Sequence, residues 1–185
     1  MGSVSGSLLL GKIWNVDIRK VGSGNAGGTN ALRSVGVVFA LLTVIIDISK
    51  GAIPCYLSMG NQNLMLLCGF AAVIGHVFPV FHGFKGGKGA GTLLGVIIIY
   101  EPSALIYVLS TWIIFLVLSG YVGLSTIAAT LTLFLFSLST SDYTLIIFSA
   151  ASLLFILYNH RENIKRMSAG EENRFSSVMI FKKNN

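Results

Sequence analysis

The chain has 185 residues, 54% hydrophobic and 11% charged, with a mean hydropathy of +0.78. Soluble domains carry about 25% charged residues, so a globular cytosolic protein is excluded, and the chain is too apolar for intrinsic disorder. A formal net charge of +6 would suit a nucleic-acid binder, but the placement of the cations along the chain decides against one.

Residues 1–11 are partly apolar, too short to span a bilayer and without the basic start of a signal peptide. They read as the second half of a transmembrane helix whose first half is missing. Apolar runs follow at 35–59, 64–81, 91–100, 104–118, 124–138 and 145–158. Several approach the ~20 residues a spanning helix needs, and the shorter ones suggest a thin or ligand-indented bundle, or helix ends buried in protein. Segments 61–63, 101–102 and 139–142 contain no Lys or Arg, whereas 12–33, 82–88 and 161–183 hold every Lys and Arg except Lys50. If each run crosses once, the two kinds of segment fall on opposite faces. The positive-inside rule makes the basic face, and the C-terminus, cytoplasmic. The predicted fold is all-α: one polytopic membrane domain over residues 1–185, with six helices after a truncated first. Lys182 and Lys183 need no role beyond this topology signal. Cys55 and Cys68 lie in or beside apolar runs without metal-type spacing and read as small buried hydrophobes.

The first basic segment contains DIRKVGSGNAGGTNALRSVG, residues 17–36. Gly22-x-Gly24-x-x-Gly27 matches the dinucleotide fingerprint in form only, because no strand precedes it. Gly, Ser, Asn and Thr here let the backbone approach a ligand and offer N–H and hydroxyl donors, while Arg33 adds a fork suited to phosphate. A flexible loop with Ser and Asn helix caps explains the same residues equally well.

The second segment, GHVFPVFHGFKGGKGAGT, covers residues 75–92. A Walker A loop needs four residues before its Gly-Lys pair. Gly83 to Gly87 leaves three, and Gly89 rather than Ser or Thr follows Lys88. An anion site is nevertheless favoured: Lys85 and Lys88 supply charge, Gly86, Gly87 and Gly89 expose N–H groups, and a helix predicted from about Gly89 points its positive end at the loop. A tight positive-inside turn would seldom need so many glycines.

The third segment, YNHRENIKRMSAGEE, ends the last run at residues 158–172. His160 and Asn163 are predicted one turn apart on one helix face. Arg161, Lys165 and Arg166 could be membrane-surface charge, and His160 a locally bonded interfacial histidine. Asp47 and Lys50, i and i+3 within an apolar run, read as an internal ion pair. His76 and His82 project to different sides of a helix, so they share no metal.

Together, SGNAGGTNALRSVG, GHVFPVFHGFKGGKG and HRENIKR resemble the three motifs of the bacterial acyl-phosphate:glycerol-3-phosphate acyltransferases, the PlsY family, over residues 2–172. The resemblance implies a seven-helix inner-membrane enzyme with its active site on the cytoplasmic side. It would move a fatty acyl group from acyl phosphate to the sn-1 hydroxyl of glycerol 3-phosphate, giving lysophosphatidic acid and phosphate for phospholipid synthesis. It implies no metal, no organic cofactor and no acyl-CoA, with membrane lipid as surroundings and functional coupling to an acyl-phosphate-producing enzyme. Ser23, Asn25, Thr29, Asn30 and Arg33 match the first motif, with Gly24 among them. Lys85, Gly86, Gly87 and Lys88 match the second, preceded by His76 and Pro79. His160, Asn163 and Arg166 match the third. Gly120-Tyr121-Val122-Gly123 stands where the family commonly has Arg-Tyr-Val-Ser.

On this reading Lys88, Arg33 and His160 are the catalytic candidates. Ser23, Gly24, Asn25, Thr29, Asn30, Lys85, Gly86, Gly87 and Asn163 are the phosphate- and substrate-binding candidates. The general base is either His160 or a substrate phosphate. An organic-anion or phosphate transporter and a non-catalytic lipid-binding protein are the rivals. A transporter would be expected to show an internal repeat, and none is visible.

Overall fold

A computed structural model describes residues 1–180, so Lys182 and Lys183 lie outside the described residues. Among the described residues the chain forms nine α-helices, three short 3-10 turns and no strand. It divides into two compact units, Met1–Pro102 and Ser103–Asn185. Each apolar run expected from the sequence is helical over most of its length, with 64–81 breaking after Val77 into a 3-10 turn.

The first unit holds α1 (Gly6–Trp14), a 3-10 turn at Ile18–Lys20, α2 (Gly28–Ser34), α3 (Val37–Leu57), α4 (Gln62–Val77), a 3-10 turn at Val80–His82, and α5 (Ala90–Tyr100). The second holds α6 (Ala104–Ser119), α7 (Val122–Leu138), α8 (Tyr143–Asn159), α9 (Arg161–Ser168) and a 3-10 turn at Ser176–Val178. Two stretches are long and apolar enough to cross a membrane, Val37–Leu57 and Gln62–His82, and a third is the bent pair Tyr143–Asn159 with Arg161–Ser168. The other apolar helices have 11 to 17 residues. Large apolar side chains such as Val38, Leu41, Ile45, Leu67, Ile106, Ile113, Ile147 and Leu154 stay exposed along the helices. That pattern is costly in water and ordinary in lipid.

The short helix α5 explains much of the first unit. Its 11 residues cover about 16 Å at 1.5 Å each, roughly half of a ~30 Å hydrocarbon core. It packs against α3 and α4. Small residues permit the approach: a methyl on Gly51 would strike the Thr92 carbonyl, one on Gly95 the Ile48 carbonyl, and one on Gly69 would lie 2.7 Å from the Val96 side chain. With no hydrophobic drive between helices in lipid, such close backbone packing is a main source of association. Gly91 meets Cβ of Asp47, the midpoint residue of the 21-residue α3. The start of α5 is therefore level with the middle of α3 rather than with its end. A helix end set within the protein is one of the arrangements that the short runs suggest.

Above that level α1, α2 and the intervening chain pack on the first half of α3. Leu8, Leu10, Ile18, Ala26, Ala31, Phe39 and Ala40 form one buried cluster, and Trp14 meets Phe39 edge to face at 5.7 Å. The glycine-rich segment expected to be loop is helical in its second part, α2. Gly27 starts this helix, and Ala31, Leu32 and Arg33 are good helix formers.

In the second unit α7 packs against both α6 and α8. Hydroxyls join the helices: Thr132 Oγ1 donates to Thr111 Oγ1 (3.1 Å), Ser137 and Ser149 share a hydrogen bond (2.8 Å), and Trp112 Nε1 donates to Thr126 Oγ1 (3.4 Å). Polar side chains hold apolar helices together in this way where burial alone cannot.

The α3–α5 contact yields a prediction. Gly95→Ala would lower stability by about 1–3 kcal/mol, because its methyl has no space beside the Ile48 carbonyl. Gly91→Ala, with Cβ of Asp47 at ordinary contact distance (3.4 Å), would cost less. Thermal unfolding in detergent ranks the two.

Candidate functional site

Within the first unit, the two glycine-rich segments meet. Arg19 Nη1 donates to the His82 carbonyl (3.2 Å). Asp17 orients Arg19, accepting from its Nε (3.0 Å), Nη2 (3.1 Å) and backbone N–H (3.1 Å). These hydrogen bonds hold the Asp17 carboxyl below the usual carboxylate range. Ala26, fully buried, abuts Gly87: a methyl there would lie 2.9 Å from the Ala26 carbonyl. Neither Arg19 nor Ala26 stands out in the sequence, because their partners, His82 and Gly87, lie about 60 residues away.

Asn30 organises the first segment. It is 2% exposed; its amide nitrogen donates to the carbonyls of Ile18 and Val21 (both 3.0 Å). Its Oδ1 accepts from the backbone N–H of Ser23 (2.8 Å) and from Ser34 Oγ (3.4 Å). This exhausts what an amide side chain can make. Gly22 passes so close that a methyl would strike Asn30 Oδ1 and Ser34 Oγ, and its φ is +57°. Only glycine meets both conditions. Ser23 and Gly24 are consequently held at the surface of this turn, with Asn25 and Thr29 half-buried beside them and Arg33 exposed on the last turn of α2.

The second segment folds back on the end of α4. Gly86 N–H donates to the Val77 carbonyl (3.1 Å) and Gly87 N–H to the His76 carbonyl (3.2 Å), so these two N–H groups, which the sequence suggests are exposed to an anion, are instead used to fix the turn. Side chains at either glycine would collide with this seat: a methyl on Gly86 would strike the His76 carbonyl, and one on Gly87 the His76 ring at Nε2. The buried Pro79 flanks the turn at Gly86. Gly89, with φ +93°, begins α5, as the sequence predicts, so the helix's positive end adjoins the turn. Lys85 is exposed and Lys88 half-buried on either side of it.

Under the turn lies a charged cluster. Asp47 and Lys50 form the expected ion pair at 2.9 Å, each side chain about 5% exposed or less. His76, which the sequence places apart from them, joins it: Lys50 Nζ is 2.6 Å from His76 Nδ1 and 2.8 Å from the Val4 carbonyl. Asp47 Oδ1 also accepts from the backbone N–H of Gly6 (3.1 Å).

In the second unit His160 and Asn163 do not share one helix. His160 occupies the break between α8 and α9, where the axis turns by 55°. Its Nδ1 is 2.8 Å from the Ile156 carbonyl. That bond puts the ring proton on Nδ1 and leaves Nε2 as the lone-pair nitrogen. Both residues are buried, at 4% and 6%. Asn163 donates to Glu172 Oε1 (2.7 Å), and Arg166 Nε to Glu172 Oε2 (2.7 Å). Gly123 on α7 faces Asn163: a methyl there would lie 3.2 Å from Asn163 Cβ. After α9 the chain lies on the α6–α7 turn, with Phe175 N–H donating to the Gly120 carbonyl (2.8 Å). Arg174 Nε donates to the Tyr121 hydroxyl (2.9 Å), its guanidinium 4.9 Å from the ring centroid.

The chain is similar to known proteins along nearly its whole length. The family model described as glycerol-3-phosphate acyltransferase matches residues 1–170. The glycerol-3-phosphate acyltransferase of Aquifex aeolicus (strain VF5) is 37% identical over 180 residues, covering 95% of this chain and 94% of that protein. That of Alkaliphilus metalliredigens (strain QYMF) is 42% identical over 177 residues, covering 94% and 90%. The crystal structure of PlsY (YgiH), an integral membrane glycerol 3-phosphate acyltransferase, in its glycerol 3-phosphate form superposes with a TM-score of 0.89 at 38% identity, over 96% of this chain and 91% of that one. Its lysophosphatidic acid form gives 0.88 at 36% identity, with the same coverage. An all-helical, lipid-facing chain whose glycine-lysine turn is built on the end of α4, and which matches this family along nearly its whole length, belongs to the glycerol-3-phosphate acyltransferase family of integral membrane enzymes.

Proposed function

We propose that this enzyme transfers a fatty acyl group from acyl phosphate to the sn-1 hydroxyl of glycerol 3-phosphate. The observation that carries this reading is the Gly86–Gly87 turn, sunk to the mid-height of α3 between Lys85, Lys88 and the positive end of α5. Such a recess suits a phosphate attached to a chain that stays among apolar helices, and an anion gains more from fixed donors there than in water. In the reaction the sn-1 oxygen bonds to the acyl carbon and the bond from that carbon to the phosphate oxygen breaks. The hydroxyl proton passes to a base, and phosphate leaves.

Lys88, Arg33 and the positive end of α5 are assigned to the developing negative charge. Ser23, Gly24, Asn25, Thr29 and Lys85 bind phosphate, while Gly86 and Gly87, whose N–H groups are taken by Val77 and His76, shape the turn that places Lys85 and Lys88. Asn30 contributes indirectly, by holding the backbone of Ser23. His160 is assigned as general base through Nε2, which its Nδ1 bond to Ile156 leaves as the proton acceptor. Asn163 orients glycerol 3-phosphate. Holding two reactants in place supplies much of the rate. The basic segments lying on one side of the helix alternation favour a bacterial inner membrane, with these loops and the C-terminus cytoplasmic.

Purified protein supplied with palmitoyl phosphate is expected to release phosphate only when glycerol 3-phosphate is present, and palmitoyl-CoA is expected not to replace the donor. Vesicle uptake of either phosphate without acyl transfer would favour a transporter instead. Lys88→Ala should lower kcat/KM by about 100-fold or more, and retained turnover would remove it from the site. His160→Ala and His160→Gln should both be nearly inactive, since neither side chain accepts a proton; near-native kcat in the glutamine variant would transfer the base role to a substrate phosphate. Asn30→Ala should cost about 1–3 kcal/mol of stability and speed amide exchange at Ser23, read by hydrogen–deuterium exchange.

A further inference from the structure

The buried cluster beneath the glycine turn has no part in the scheme above. Lys50 has three N–H donors, and three acceptors surround its nitrogen: Val4 O at 2.8 Å, Asp47 Oδ1 at 2.9 Å and His76 Nδ1 at 2.6 Å. An ammonium has no lone pair to offer, so His76 Nδ1 must be the acceptor in the shortest of these contacts. Asp47 Oδ1, 3.4 Å from the same ring nitrogen, already accepts from Lys50 and from Gly6 N–H. The ring proton of His76 then resides on Nε2, and Nε2 is the atom that a methyl on Gly87 would strike. The same residue's carbonyl accepts the Gly87 N–H.

We propose that Asp47, Lys50 and His76 form a positioning network for the glycine-lysine turn, in which the ion pair fixes the Nε2–H form of His76 and the N–H edge of that ring sets the seat of Gly87. The scheme above gives no member of the network a contact with the reacting atoms. Its task is to hold the backbone of Gly86 and Gly87, and with it Lys88, at one height against α3. The N-terminal segment takes part through Val4 O and Gly6 N–H, which makes the chain ahead of α1 a component of the seat. The kinetic consequence rests on the reading that this turn binds a substrate phosphate, whereas the ring's protonation pattern does not.

Two measurements test the proposal. The chain has three histidines, so the His82→Gln/His160→Gln variant leaves His76 as the sole imidazole for nitrogen NMR with ¹⁵N-histidine. The expected spectrum at pH 7 has the proton on Nε2 and Nδ1 as a hydrogen-bond acceptor. A proton on Nδ1, or on both nitrogens, overturns the proposal whether or not the protein turns over substrate. In the otherwise native chain, His76→Asn keeps an acceptor near the Nδ1 position and removes the ε edge, while His76→Gln keeps an amide donor near the ε position. His76→Asn should retain the native unfolding temperature to within a few degrees and raise the KM for glycerol 3-phosphate by about tenfold or more, with a smaller change in kcat. His76→Gln should recover part of that loss. An unchanged KM in His76→Asn, or a loss confined to kcat, overturns the positioning role. Failure of the phosphate-binding reading itself would appear separately, as native turnover in Lys88→Ala alongside the expected nitrogen spectrum.

Discussion

The ammonium of Lys50, enclosed by Val4, Asp47 and His76, is the constraint around which the first unit is arranged. Removing two opposite charges from water costs several kcal/mol per ion, and their attraction offsets this only with good geometry and further hydrogen bonds. Here every donor of the ammonium is used, and the carboxylate gains the Gly6 N–H. Apolar residues of similar volume would be at least as stabilising. What the ions add is direction. They tie the entry of α1, the middle of α3 and the end of α4 to a single point.

That point determines where the glycine turn lies. The turn is hydrogen-bonded to the carbonyls of His76 and Val77, and Gly91 stands beside Asp47 at the middle of α3. A soluble phosphate loop sits at a sheet edge or on a surface. The turn here lies level with the middle of α3, because α5 is a half-length helix. The glycines on α3, α4 and α5 permit that packing, and the glycines of the turn permit the fold-back. The same residue type thus serves helix association and the tight turn in one region.

The second unit solves a different problem. Its helices are held by hydroxyl pairs, and its break at His160 turns the chain so that α9 carries Asn163 and Arg166 against Glu172. The glycines at positions 120 and 123 leave room for the returning chain and for Asn163 respectively. The departure from the common Arg-Tyr-Val-Ser pattern is therefore matched by local packing. Arg174 supplies a guanidinium beside Tyr121 from the C-terminal segment.

Apolar run lengths carried the helical class and the number of apolar helices, and the three motifs at residues 23–36, 75–89 and 160–166 carried the family, because hydrophobic runs and motifs are one-dimensional properties of the chain. The start of α5 at Gly89 and the Asp47–Lys50 pair were legible for the same reason, since caps and i,i+3 contacts span a single turn. Three features were not. Asn30 reads as a ligand-binding residue until its four bonds to residues 18–34 are seen. His160 and Asn163 read as one helix face until the 55° break separates them. His76 lies 26 residues from Lys50, and no local pattern states that the end of α4 returns to the middle of α3. The sequence by itself determined which residue types were available to meet a phosphate in an apolar chain. Only the tertiary structure decided which of them meet one another, because that depends on how closely the glycine-lined helices pack.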